Sequence, residues 1–315
     1  MATKPADLPR AARARAEWVH SPERGNLTLL RMMTFVSLRL GRPAGRFILY
    51  FIALYFFLFA PAARRQSRVY LRRVLGREPT AGDRFRQVFY FASIILDRLY
   101  LVNERYDLFD VTIEGEDIMR KQLAPASGTF LMGAHLGSFE IMSAVGRRRP
   151  GLRVAMAMYE ENARKVSAMF KALNPANKSE IIPLGQIEAM LRIRERLEEG
   201  VFVGILADRS FGGEPGLVVD FLGHPAVFPL GPMRAAAVLR RPVFFMAGLY
   251  RGGNRYHAVF EHLVDFSAIR SGEREAAVEA AVRRYAALLE KHCRNDPYNW
   301  FNFFDFWRGA HGQQQ

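Results

Sequence analysis

One cysteine, Cys293, stands in a chain of 315 residues. That scarcity excludes an internal disulfide framework and a cysteine-built zinc module. Four common catalytic signatures are missing as well: GxxxxGK(S/T), HExxH, CxxC and GxSxG. Their absence weighs against P-loop nucleotide, zinc-protease and α/β-hydrolase chemistry. No internal repeat and no low-complexity linker interrupts the chain. Acidic charge is short at one end only. Residues 1–80 hold 15 Lys/Arg against 4 Asp/Glu, a net of +11, whereas residues 81–315 hold 30 against 27, a net of +3. Half of the residues are apolar, which permits a sizeable core and excludes global disorder. The length suits one large domain or two small ones.

A basic excess calls for an anionic partner, and its position selects which one. The basic quarter contains the longest apolar run, Phe47 to Ala63, 17 residues without a charge. A bilayer-spanning helix needs about 20 apolar residues, with about 17 as the lower limit. Arg39, Arg42 and Arg46 precede the run, and Arg64, Arg65, Arg68, Arg72 and Arg73 follow it. Cations on both sides suit anionic headgroups, each adding about 1 kcal/mol near the surface. The run is apolar on every face, which favours a membrane anchor, spanning or embedded in one leaflet, over a buried core helix. It begins too late for a cleavable signal peptide. A non-catalytic membrane or nucleic-acid binder is the competing class. Nucleic-acid binders spread basic and aromatic residues over a fold face, whereas here the charge brackets an apolar run.

Residues 1–80 therefore read as a basic region carrying an anchor at about 47–63, and residues 81–315 as a catalytic domain. The first twenty residues read as mobile. A long helix follows from Asp83 to Arg105, with Phe85, Val88, Phe89, Ala92, Ile95, Leu96 and Leu99 at helical spacing. Strand and helix patterns then alternate to a closing helix, Glu273 to His292. This alternation predicts an α/β layered fold with a mostly parallel central sheet. Function in such sheets sits at the carboxyl ends of the strands.

At one such end stands Gly133-Ala-His135-Leu-Gly137-Ser-Phe-Glu140. On a continuous helix, positions five apart are about 140° apart and do not meet. Across a strand–turn–helix junction they can, so Glu140 would hold one ring nitrogen of His135 while the other takes a proton. The alternative is a histidine packed at a helix N-terminus. Asp208-Arg209 follows the strand Val201–Leu206 and should emerge on the same sheet edge, either as part of the site or as a surface ion pair. Trp300 to Trp307 holds six aromatics in eight residues and reads as packing over the sheet, with a membrane dock or pocket wall as the alternative. His20, His257, His262, His292 and His311 show no ligand or triad spacing and read as surface or strand positions, and Cys293 matches no nucleophile position.

HLGSFE resembles the H-x4-(D/E) motif of the lysophospholipid/glycerolipid acyltransferase superfamily. More closely, the chain resembles the lipid A late acyltransferase (lauroyl/myristoyl transferase-like) family. SPERGN, LYFFLFAPAARRQSRVYLRRVLG, ILADRS, VDFLGHPAVFPLGPMRAA and YNWFNFFDFW carry the likeness across roughly residues 18–308. The resemblance implies an α/β/α sandwich that moves a fatty acyl chain from acyl carrier protein, or from acyl-CoA, to a hydroxyl or amine of a lipid acceptor. It implies no acyl-enzyme, no cofactor and no metal, and a place on the bacterial inner membrane with the catalytic domain on the cytoplasmic side. His135 then resembles the general base and Glu140 its orienting carboxylate. Asp208 falls in the family's third motif, with Arg209 placed for the oxyanion or an acceptor phosphate. Gly223, Pro225 and Pro229 shape a rigid loop lining the substrate cleft together with Gly137, and His224 there is structural. Tyr159, Asn162, Arg164 and Lys165 fall in a substrate-contacting segment. Many family members carry arginine directly after the matching tyrosine, but Glu160 stands here, with Arg164 or Lys165 as substitutes one turn later. That departure leaves the acceptor open among lipid A, an amino-acyl lipid and a polyene-type lipid.

Overall fold

Alternating residues of the central strands enter two different apolar clusters, which makes the sheet the middle of three layers. In β2 (Phe130–Gly133), Phe130 and Met132 face one core and Leu131 the other; Phe244 and Phe245 divide in the same way. The computed structural model describes residues 27–123, 128–147, 153–174, 176, 179–185, 187–209 and 215–307. The first twenty residues, the SPERGN segment, His20 and His311 lie outside the described residues.

The remaining strands are β1 (Asp110–Glu114), β3 (Val154–Tyr159), β4 (Glu180–Leu184), β5 (Phe202–Leu206), β6 (Gly216–Phe221), β7 (His224–Pro229), β8 (Pro242–Tyr250) and β9 (Arg255–Asp265). Among the described residues the central sheet runs β1-β9-β8-β2-β5-β3-β4. β8, β2, β5, β3 and β4 are mutually parallel; β9 pairs antiparallel to β8, and β1 runs with β9. The mostly parallel sheet expected from the alternation is present, with one reversed edge.

The segment expected as a rigid loop at Gly223, Pro225 and Pro229 is instead the hairpin β6–β7. Its turn is Leu222-Gly223, both at positive φ, 55° and 76°, flanked by the Phe221–His224 pair. Two consecutive left-handed residues match the right-handed twist of the strands they join. Pro225 and Pro229 are tolerated because they sit in a two-stranded ribbon where every position is near an edge.

The helices are α1 (Leu27–Phe59), α2 (Pro61–Leu75), α3 (Ala81–Val102), α4 (Glu116–Leu123), α5 (Phe139–Arg147), α6 (Glu160–Leu173), α7 (Ile187–Glu198), α8 (Gly231–Val238) and α9 (Arg274–Asn295). Thr80 and Asp83 form a reciprocal capping box that starts α3. The apolar run does not form one helix. α1 breaks at Gly41 (φ 79°) and ends at Phe59, and Pro61 opens α2. Residues Arg39–Phe59 are long and apolar enough to cross a membrane. Their surroundings are not uniform, however. Leu49 and Ala53 are buried, while Phe47, Tyr50, Phe51, Leu54, Tyr55 and Leu58 are exposed. These six follow helical spacing and form an outward stripe, and Phe56 and Phe59 beside it are exposed as well.

The inner side of α1 is held by ions as well as by packing. Arg42 donates through Nε and a terminal nitrogen to the two oxygens of Asp97, at 2.7 and 2.8 Å, and Tyr256 Oη donates to the same carboxylate at 2.8 Å. Arg46 donates to Tyr250 Oη at 2.7 Å. Arg73 lies 3.9 Å from the centre of the Trp307 ring. Three arginines expected to face headgroups therefore serve the protein interior. Asp97 is fully buried, so removal of its cation leaves a stranded charge. Arg42→Met is expected to destabilise the protein by roughly 3 kcal/mol, seen as a lower unfolding midpoint in detergent solution. An unchanged midpoint would show that this ion pair does not fasten α1.

Candidate functional site

β2 and β5 are neighbours in parallel register, with Gly133 beside Leu206. His135 and Asp208 each lie two residues beyond their strand, so the pairing that builds the sheet also brings them together. His135 Nδ1 is 2.8 Å from Asp208 Oδ1, and the His135 backbone N–H donates to Asp208 Oδ2 at 3.1 Å. Trp300 Nε1 donates to the same Oδ2 at 3.1 Å. Asp208 is fully buried, while the His135 side chain keeps 30% of its surface.

Burial alone pushes the Asp208 carboxyl up. The charge and hydrogen bond of His135, with Arg209 beside it, outweigh that and hold it at about 2. Asp208 is thus ionised at neutral pH and accepts only, so Nδ1 carries the ring proton and Nε2 keeps its lone pair. Burial and the Arg209 charge lower the imidazole below its ordinary 6.5, against the raising effect of Asp208. The resting ring is therefore neutral. Burial also lowers the Arg209 guanidinium to about 10, which leaves it a cation. Arg209 Nε donates to Asn302 Oδ1 at 2.9 Å, and the guanidinium lies 5.0 Å from the centre of the Phe304 ring. The arrangement is a neutral imidazole whose Nε2 has no hydrogen-bond partner among the described residues, an ionised carboxylate at Nδ1 and a fixed cation beside them.

The expected His135–Glu140 pairing is not present. Leu136 and Gly137 pair with Trp300 and Gly248, and this carries the chain away from the imidazole before α5 starts. Glu140 faces Arg98 of α3, with 2.6 Å between Oε1 and Nε, and accepts from Ser138 Oγ at 3.2 Å. Ser138 Oγ also accepts the Ile141 N–H at 3.3 Å, as an N-cap does. Glu140 therefore serves the helix start, where an acid is also favoured by the dipole.

Tyr159 closes β3, and Asn162, Arg164 and Lys165 occupy the first turns of α6, at the same carboxyl edge as Asp208. Lys165 pairs with Glu161 at 3.1 Å, and Arg164 is exposed. Gly223 lies at the exposed tip of the hairpin, with Pro225 and Pro229 in β7; what the hairpin sends towards the site is Phe221, 5.4 Å from Trp300 between ring centres. His292 departs from the surface or strand position expected of it: it lies buried in α9, 2.6 Å from Glu261. Burial pushes the Cys293 thiol up, so it remains protonated.

The aromatic tail does more than pack. The Phe301 N–H donates to His135 O at 2.8 Å, and the Gly137 N–H donates to Asn299 O at 2.8 Å. Nothing local in the sequence ties Trp300, Asn299 or Asn302 to His135. The one usable signal was a dense aromatic cluster that also held two asparagines.

Gly137 sits at φ 73°, and a Cβ there would overlap the Gly248 carbonyl oxygen. Both the dihedral and the space demand glycine. Gly137→Ala is expected to displace the His135 loop, abolish turnover and lower the unfolding midpoint by several degrees. Retained activity at an unchanged midpoint would show that the loop tolerates a side chain.

No curated protein matches the chain. The family described as bacterial lipid A biosynthesis acyltransferase matches residues 19–309. The histidine–carboxylate pair at the strand ends lies within that span, and the span covers nearly the whole chain, which therefore belongs to the bacterial lipid A biosynthesis acyltransferase family.

Proposed function

We propose that His135, oriented by Asp208, is the general base of a membrane-docked enzyme that moves a fatty acyl chain from an acyl-carrier-protein thioester to a lipid hydroxyl or amine. The family makes the chain an acyltransferase acting on lipid A-like substrates. The observation that carries the finer reading is the 2.8 Å contact between His135 Nδ1 and the buried Asp208 carboxylate. In the reaction, the acceptor oxygen or nitrogen attacks the thioester carbonyl and gives its proton to Nε2. Asp208 stabilises the imidazolium so formed. The carbon–sulfur bond then breaks, and the proton passes to the leaving thiolate. No enzyme nucleophile takes part. Arg209 is the cation available to the oxyanion. Glu140 acts through the capping Ser138, whose hydroxyl donates to it, and through its ion pair with Arg98.

A cavity of about 260 Å³, lined mostly by apolar side chains including Leu101, Phe109, Val111 and Ile141, is the space considered for an acyl chain. A smaller void beside Glu140 shares Leu101, Tyr106 and Ala144 with it. Tyr159, Asn162, Arg164 and Lys165 form the acceptor side together with Gly137, and the hairpin that holds Gly223, Pro225 and Pro229 contributes through Phe221. Residues 81–315 carry the catalysis, and residues 1–80 carry the contact with the cytoplasmic leaflet of the inner membrane. The outward stripe of α1 supports embedding in that leaflet, because its opposite side is committed to α3. An acidic carrier suits a basic chain, and steering of this kind weakens with salt.

His135→Ala is expected to lower turnover by roughly 10²–10⁴ in a protein that still folds cooperatively. The assay supplies acyl-carrier thioester or acyl-CoA and scores lipid products by mass spectrometry; near-wild-type turnover would remove the mechanism. The base works only when neutral, so activity falls as pH drops through its lowered pKa. The acid limb of kcat/KM is expected below 6.5, and a limb at or above that value would contradict the assignment. The paired change Phe51→Asp, Leu54→Asp is expected to cut flotation with phosphatidylglycerol vesicles by at least about tenfold without unfolding the protein. Unaltered flotation would place the membrane contact elsewhere.

A further inference from the structure

We infer that Trp300 is a positioning residue for the His135–Asp208 pair, acting through its indole N–H. The inference rests on His135 being the base. Trp300 is fully buried, and a buried indole N–H needs an acceptor. Its acceptor here is Oδ2 of Asp208. Oδ2 therefore takes two N–H groups, from the indole and from the His135 backbone, while Oδ1 is left for the imidazole. A carboxylate held at both oxygens cannot turn its plane, so the ring it holds keeps one tautomer and one direction.

The indole is itself immobilised. Tyr70 and Phe306 meet it edge-on at 4.9 Å, and Phe221 at 5.4 Å. Its backbone pairs with Leu136, inside the His135 loop. Gln87 of α3 donates through Nε2 to Trp300 O at 2.7 Å, and Ser67 of α2 donates through Oγ to Gln87 Oε1 at 2.5 Å. The Trp300 side chain thus holds the aspartate, the Phe301 N–H next to it holds the His135 carbonyl, and Gln87 with Ser67 behind it fixes the Trp300 main chain.

Replacing Trp300 with 3-benzothienylalanine in the full-length protein exchanges the N–H for sulfur at nearly constant shape. The expected result is a kcat about tenfold lower at unchanged KM. Without the indole N–H, Asp208 is less neutralised and favours the imidazolium more strongly, so the acid limb of the pH profile moves to higher pH. In ¹⁵N-histidine spectra the single His135 tautomer is expected to give way to a mixture. Trp300→Phe, which also lacks the donor, should shift the limb in the same direction. A kcat, acid limb and tautomer all matching wild type in the benzothienyl protein would overturn the inference while leaving the base assignment intact. Active His135→Ala would instead overturn the base assignment itself.

Discussion

Asp208 carries a full charge with no exposure to water, and an interior charge persists only where its oxygens are paired. Three N–H groups meet that requirement, and they come from two places far apart in the chain: the loop after β2 and the C-terminal tail. The carboxylate therefore cannot reach its working state until β2 lies beside β5 and the tail has crossed the strand ends. Ionisation of one residue and closure of the fold are coupled. The aromatic packing of Phe221, Phe306 and Trp307 around Trp300 is the apolar counterpart of the same closure.

The two carboxylates near His135 divide their work by position. Asp208 reaches the ring from a neighbouring strand and fixes its tautomer. Glu140 stays with the helix that follows and is neutralised by Arg98. Arg209 opposes protonation of the imidazole and so keeps it neutral. A neutral imidazole beside a permanent cation suits chemistry in which negative charge gathers on a carbonyl oxygen while a proton moves to nitrogen.

Much of this was legible in the sequence. The strand–helix alternation gave the sheet, because buried parallel strands and amphipathic helices leave strong periodic signatures, and His135 and Asp208 were found because both follow apolar strands. Which carboxylate holds the ring was not legible. Spacing reports local neighbours, and the true partner lies 73 positions away, across a strand pairing. Trp300 reads as packing because its burial is visible in composition and its hydrogen bond is not. Prolines conceal the strand pattern of the hairpin, although Leu222-Gly223 supplies a turn. Charge alone does not reveal which side of a helix faces inward, so Arg42, Arg46 and Arg73 look no different from cations that face headgroups.

The reversed edge of the sheet has a consequence for how α1 is attached. Tyr250 ends β8 and Tyr256 lies in β9, so both tyrosines stand beside the turn that sends the chain back. Through them and through Asp97, that turn receives the inward arginines of α1. Helix α1 is thus wired into the rim of the sheet and does not hang from a tether. Shortening the chain past α1 would expose apolar surface on α3 and also unseat an ionic joint at the sheet rim, so the helix is a structural part of the fold and not a removable appendage.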